Sequence, residues 1–187
     1  VAGLILAPGA SAGRDQSALV AIDERVSANG AAVERIDFPY HLAGRRAPDR
    51  QSVLVATVVE AAHELAAANA LSPRAIALGG RSMGGRMCSI AVAEGLPAAA
   101  LVLVSYPLHP PGRPDKLRTE HFGAIEVPCL FVSGKKDPFA TPAELESETR
   151  AIKGPLTHVF LEGDHSLRRR DDEVADIVSD WLEALRP

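Results

Sequence analysis

The chain has 187 residues, enough for one domain with a substantial core. Hydrophobic residues make up 47% of it and charged residues 24%, the balance of a globular domain rather than of a disordered or fibrous chain. The net charge of −4 argues against bulk nucleic-acid binding, and no apolar run is long enough to span a bilayer as a helix.

Apolar runs and helical periodicity alternate along the whole sequence. A first strand is expected at 3–7 (GLILA), followed by a small-residue loop, Ala7-Pro8-Gly9-Ala10-Ser11-Ala12-Gly13, and a helix at 14–29. A strand at 32–37 and a helix at 50–69 come next, then a strand at 74–79 and a helix at 83–94. A strand at 99–105 runs into the rigid loop Tyr106-Pro107-Leu108-His109-Pro110-Pro111-Gly112. Strands at 127–133 and 156–161 are interleaved with helices at 142–152 and 171–185. Several strands are almost continuously apolar, as expected where helices cover both faces of a parallel sheet. The last helix is amphipathic, with Val174, Ile177, Val178, Trp181, Leu182 and Leu185 on one side. The pattern predicts a single α/β domain over 1–187. Its architecture would be a doubly wound, mostly parallel sheet with helices on both faces. The sequence opens with Val1, directly in a strand, so native N-terminal residues are expected to be missing. Cys88 and Cys129 lack metal-ligand spacing and read as buried free thiols, which suits a cytoplasmic protein.

The most informative stretch is Gly79-Gly80-Arg81-Ser82-Met83-Gly84-Gly85-Arg86, lying between a strand and a helix. Its G-x-S-x-G spacing is that of a nucleophile elbow. Glycines two before and two after the serine let strand and helix approach closely. The hydroxyl is then presented at a helix N-terminus, whose free N–H groups can hold an oxyanion. A serine needs a base, and His165 is best placed, in the loop Glu162-Gly163-Asp164-His165-Ser166 after the last strand. His63 falls in a helix and His158 within a strand, while His41, His109 and His121 precede or miss the required position. Asp137 is the expected orienter of the histidine. The following helix already has a capping box in Thr141, Pro142 and Glu144, so Asp137 is not needed as its cap. Asp164, next to His165, is the competing carboxylate. Oxyanion donors are expected in the backbone N–H groups of Met83 and Ala10, with Ser11 as the alternative to Ala10.

These features resemble the α/β-hydrolase superfamily over nearly the whole chain. More narrowly, the chain is similar to the small dienelactone-hydrolase-like group. That group includes the hydrolase-like domain of NSL complex subunit three and its short bacterial relatives. The stretches that carry the resemblance are GGRSMGGR at 79–86, SYPLHPPGRPDKLRTEHF at 105–122 and SGKKDPF at 133–139. The resemblance implies the triad Ser82, Asp137 and His165, in the superfamily's chain order. Relatives often carry His-Gly after the first of these strands where this chain has Pro8-Gly9, so the hydrogen bonding of that loop should differ. Caps in the superfamily are commonly inserted after the strand corresponding to 99–105. Residues 106–126 are too few for a large one, which implies an open, nearly lidless site.

Most of the 20 Lys and Arg fall in segments assigned to the catalytic edge, among them Arg81, Arg86, Arg118, Lys135, Lys136 and Arg168. A positive local field there would attract an anionic ester or lactone. The bland alternative is a set of solvated or locally paired surface cations. Arg81, Arg86, Tyr106 and Ser11 are the expected substrate contacts. The expected function is a serine esterase acting through an acyl-enzyme, with no cofactor or metal, no nucleic-acid partner and no membrane. The alternatives are a hydrolase-fold binding or scaffolding module without turnover, and an acyltransferase.

Overall fold

The computed structural model describes residues 1–185. Six parallel strands form one sheet: β1 (Gly3–Ala7), β2 (Ala32–Arg35), β3 (Ile76–Arg81), β4 (Leu101–Val104), β5 (Cys129–Gly134) and β6 (Leu156–Leu161), in the order β2-β1-β3-β4-β5-β6. The helices are α1 (Ser17–Ala28), α2 (Pro39–Leu42), α3 (Gln51–Ala68), α4 (Met83–Ala93), α5 (Pro142–Glu148) and α6 (Asp171–Ala184). This is a compact α/β-hydrolase architecture. Between β4 and β5 the chain forms only one 3₁₀ turn, Phe122–Ala124, and no large cap.

The period-2 geometry of a strand divides the core in two. Leu4 and Leu6 of β1, Val102 and Val104 of β4, and Leu130 and Val132 of β5 pack on one face, with Leu19 and Ile22 of α1 and Val174, Val178 and Leu182 of α6. Ile5 and Ala7, Leu101 and Leu103, and Cys129 and Phe131 point the other way, onto α3, α4 and α5. Both faces are covered, so β1 and β4 carry no polar side chain, and β3 and β5 are apolar except near their carboxyl ends. Each large side chain fully buried there contributes about 1.5–3 kcal/mol. The edge strands β2 and β6 are covered less completely and read as more mixed in sequence.

Elements shift from their expected bounds for local reasons. The first helix starts at Ser17, because the preceding residues brace loops: the Gln16 side chain accepts from Gly9 N at 3.2 Å, and Arg14 N donates to Asp37 at 2.8 Å. β3 begins at Ile76, after a 3₁₀ turn set by Pro73, and runs on to Arg81, which pairs with Val104. α5 ends at Glu148 and tightens into a 3₁₀ turn over Thr149–Ala151, where Thr149 Oγ1 donates back to Leu145 O at 2.7 Å. The short α2, with Pro39 at its start, has too few residues to show a helical period. Strand order reverses between β1 and β3. In a sheet of this kind the crevice for a ligand opens beyond the carboxyl ends of those two strands.

Candidate active site

β3 ends at Arg81, and the chain turns at Ser82, whose φ of 51° and ψ of −118° are unusual for a residue with a side chain. Such a backbone costs on the order of 1–3 kcal/mol and persists only where its surroundings enforce it. Here they do. A Cβ at Gly80 would strike the Ala7 carbonyl, and one at Gly84 would strike the carbonyls of Ala7 and Pro8. Only glycine at these two positions lets β3 and α4 lie against β1 closely enough for the turn to form. Ser82 thereby sits directly before the first residue of α4.

His165 lies in the loop between β6 and α6, and Asp137 in the turn after β5. The structure brings both to Ser82. His165 Nε2 is 2.9 Å from Ser82 Oγ, and its Nδ1 is 2.8 and 3.0 Å from the two carboxylate oxygens of Asp137. Asp137 is 2% exposed, and its Oδ1 also accepts from Phe139 N at 2.8 Å, so its direction is fixed. The adjacent capping box forms in full: Thr141 and Glu144 cap each other's backbone, which leaves Asp137 to the histidine. The competing carboxylate, Asp164, is turned away. It accepts from Ser166 N at 2.8 Å and Ser166 Oγ at 2.5 Å. Phe139 packs on the His165 ring, with centroids 4.1 Å apart.

Four of the other five histidines are occupied elsewhere, and His63 is exposed on α3. His41 pairs with Asp37, His109 approaches Glu144, and His158 meets Thr149 Oγ1 at 3.0 Å. His121 bonds to Ser89, and burial lowers its pKa from the usual 6.5 to about 4, assisted by the charge of Arg86.

A cavity of about 500 Å³ opens above Ser82 and His165. Gly9, Ala10, Ser11 and Met83 line it, so both backbone segments expected to supply oxyanion donors border the same space as the serine. Two side chains brace the loop of Ala10: Tyr40 Oη donates to Ala10 O at 2.8 Å, and Gln16 holds Gly9 N. The remaining walls come from the start of α3 and its approach (Pro48, Asp49, Gln51, Leu54), from Pro107 and Arg118, and from Phe139. Their spacing in sequence carries no sign that they would meet.

Among the expected substrate contacts, Ser11, Arg81 and Arg86 line the cavity. Arg81 also donates to the main-chain oxygen of His165 at 2.7 Å, and Arg86 to Gln51 Oε1 at 3.0 Å. Tyr106 does not line it. Its side chain is fully buried, within 5.4 Å of the Phe122 ring and 5.9 Å of the Phe131 ring, and its hydroxyl donates to Arg118 O at 3.1 Å. Ser105, at φ 50°, turns the chain at the end of β4, so the next side chain goes into the core and Pro107 reaches the rim. Several edge cations are paired with acids: Arg14 with Glu34, Arg45 with Asp49, Arg113 with Asp115, Lys135 with Glu162 and Arg170 with Glu173. Of the cations at this edge, Arg81, Arg86 and Arg118 line the cavity, together with the carboxylate of Asp49.

A family model for the alpha/beta hydrolase domain matches residues 1–185. The chain belongs to the alpha/beta hydrolase family. Solved structures agree with that fold. A protein of the alpha/beta superfamily from Xanthomonas campestris pv. campestris aligns with a TM-score of 0.74 at 22% identity, covering 98% of this chain and 99% of that one. A dienelactone hydrolase from Anabaena variabilis aligns at 0.78 with 20% identity, covering 98% and 86%. An alpha-beta serine hydrolase homologue from Coxiella burnetii aligns at 0.78 with 17% identity, covering 96% and 84%. The resemblance to the superfamily therefore holds, and the dienelactone hydrolase shares its fold. Among the described residues of this alpha/beta hydrolase, no helix is long and apolar enough to cross a membrane.

Proposed function

We propose that this alpha/beta hydrolase cleaves small carboxylic esters or lactones through an acyl-enzyme on Ser82. The observation that carries the reading is the continuous hydrogen-bonded chain Ser82 Oγ–His165 Nε2, His165 Nδ1–Asp137. His165 Nε2 takes the Ser82 proton as Oγ bonds to the substrate carbonyl carbon. Asp137 holds the imidazole in the required tautomer and stabilises the imidazolium. The carbonyl oxygen, now anionic, is received by the N–H groups of Met83 and Ala10; one such donor is worth about 10²–10³ in rate. The tetrahedral intermediate collapses, the bond to the alcohol oxygen breaks, and His165 returns the proton to that oxygen. Water then adds to the acyl carbon with His165 again as base, and Ser82 leaves with its proton restored.

The same reading assigns the substrate an anionic group. Arg86 and Arg118 line the cavity, and the pKa of Arg118 is lowered first by burial and then by the charge of Arg86. Two cations that repel one another in a partly desolvated cavity are relieved by a bound carboxylate. The chemistry calls for no cofactor or metal. The buried free thiols Cys88 and Cys129 fit a reducing compartment such as the cytoplasm.

The test is a panel of matched neutral and anionic esters, assayed with wild type and Ser82→Ala and paired with labelling by a fluorophosphonate probe. The expected result is turnover and labelling by wild type only, with a preference for the anionic ester that weakens as salt rises. Equal turnover by Ser82→Ala would overturn the assignment of the nucleophile. A folded wild type that neither turns over nor labels would indicate a binding module.

A further inference from the structure

We propose that Arg81 is a positioning residue, whose guanidinium ties the main chain of His165 to the strand end that carries Ser82. The inference rests on the reading of Ser82 and His165 as nucleophile and base. It reassigns Arg81 from the substrate to the machinery itself.

Three observations converge on this role. First, Arg81 Nη2 donates to His165 O at 2.7 Å, across 84 positions of sequence. The residue directly before the nucleophile thus grips the backbone of the base. Second, the Arg81 backbone is itself fixed: Arg81 pairs with Val104 in the sheet, and Ser82 N donates to Val104 O at 2.8 Å. A tether from this point refers His165 to the same rigid frame as Ser82. Third, the loop of His165 lacks a regular ladder to hold it. Gly163, Leu167 and Arg169 have φ of 149°, 47° and 62°, and the loop is fastened to the β5 turn by Lys136 N donating to Gly163 O at 2.9 Å. With the ring bonded only to Asp137 and Ser82, movement of the loop backbone would swing Nε2 about the Nδ1–Asp137 contact. A second attachment at the residue's own carbonyl removes that freedom.

The chemistry of arginine suits the task. Among the described residues no carboxylate lies within ion-pair distance of Arg81, so its guanidinium is not neutralised by a direct partner. It is partly desolvated, and burial is the main influence lowering its pKa from the ordinary value, opposed at longer range by Asp171, Asp137 and Asp164. A half-buried cation held in this way without a salt bridge is costly, which fits a device retained for geometry rather than for stability. The long planar group spans from β3 to the far loop, a reach that a shorter donor would not have.

The test uses the full chain with Arg81→Met and Arg81→Lys, assayed on matched neutral and anionic esters, with fluorophosphonate inactivation rates and melting curves. Arg81→Met should lower kcat about 10²-fold on both esters, the scale expected when a catalytic group is misplaced by around 1 Å. KM should stay within about threefold, since the alignment of the base in the transition state and not ground-state binding is lost. Inactivation by the probe should slow in parallel. Arg81→Lys should recover part of kcat, because an ammonium can donate to the same carbonyl. Unchanged kcat in both folded variants would overturn the proposal. So would a rise in KM confined to the anionic ester with kcat intact, which would return Arg81 to substrate binding. If Arg81→Met does not fold, Arg81→Gln takes its place, being too short to reach the carbonyl: a reduced kcat at unchanged KM supports the tether, and wild-type kcat overturns it. A wild type without turnover or labelling would remove the serine-hydrolase reading and this role together. An active, labelled wild type matched by both variants would remove only the role of Arg81.

Discussion

Two Ser–His pairs sit on the same helix, and they have opposite fates. Ser82, at the head of α4, lies 2.9 Å from His165; Ser89, two turns further along, lies 2.8 Å from His121. Distance does not separate them. Ser89 is fully buried, and its hydroxyl also donates to Arg86 O at 2.8 Å, so its one proton is already committed to the helix. His121 has no orienting acid: its Nδ1 is buried without a hydrogen-bond partner among the described residues. His165 has Asp137 at that position, and its side chain is 20% exposed beside the cavity. A nucleophile–base pair thus requires a free hydroxyl proton, a carboxylate behind the imidazole and room for substrate. The second pair has none of these and instead fastens the loop before β5 to α4.

The contrast can be broken at several points. The largest effect is expected from Ser82→Ala, which should lower kcat by about 10⁶, the scale of loss when a serine nucleophile is removed. Steady-state assays on the most reactive ester of the panel would measure it, with circular dichroism to show an intact fold. Asp137→Asn should come next, at about 10⁴ in kcat, because the imidazole loses its preferred tautomer while the geometry survives. Asp164→Asn should leave kcat nearly unchanged, since that carboxylate serves its own turn; the ratio of the two rates checks which acid faces the base.

The His121 pair should respond to pH through stability. Its folded pKa of about 4 lies below the usual 6.5, so the folded state resists protonation where the unfolded chain accepts it. Stability from this group is therefore full above pH 6.5 and lost as pH falls toward 4. The melting temperature of wild type should decline across that window more steeply than that of His121→Gln; parallel curves would show that the burial of His121 carries no such linkage. The smallest effect is expected from Ser89→Ala. It should cost about 1 kcal/mol in urea denaturation, the net worth of a buried hydrogen bond. It should leave kcat at wild-type level. A large loss of activity would mean that the second pair shapes the site and does not merely anchor a loop.

The six strands, the elbow and the three residues that meet there are legible in the sequence, because each has a local signature. The elbow needs Gly80 and Gly84 around Ser82. Asp137 and His165 each come after a recognisable apolar strand, and Thr141 with Glu144 announces the cap that frees Asp137. Tyr106 departs from expectation for a physical reason. Its position next to a strand end suggests the rim, but the left-handed turn at Ser105 sends its ring into the core. Tyr40 and Gln16, which brace the Ala10 loop, have no local pattern that points to it.

By itself, then, the sequence determined the features that periodicity and turn chemistry dictate: a doubly wound parallel sheet, one strained serine at a helix head, and an acid and a histidine beyond later strands. Only the tertiary structure decided that His121 faces Ser89, which cations remain unpaired, and which distant segments wall the cavity. Those outcomes depend on how far apart the strand ends lie once two dry faces have been packed against helices. Arg81 shows the division most clearly. In the sequence it is one cation beside a serine; in the fold it reaches 84 positions along the chain to hold the backbone of His165.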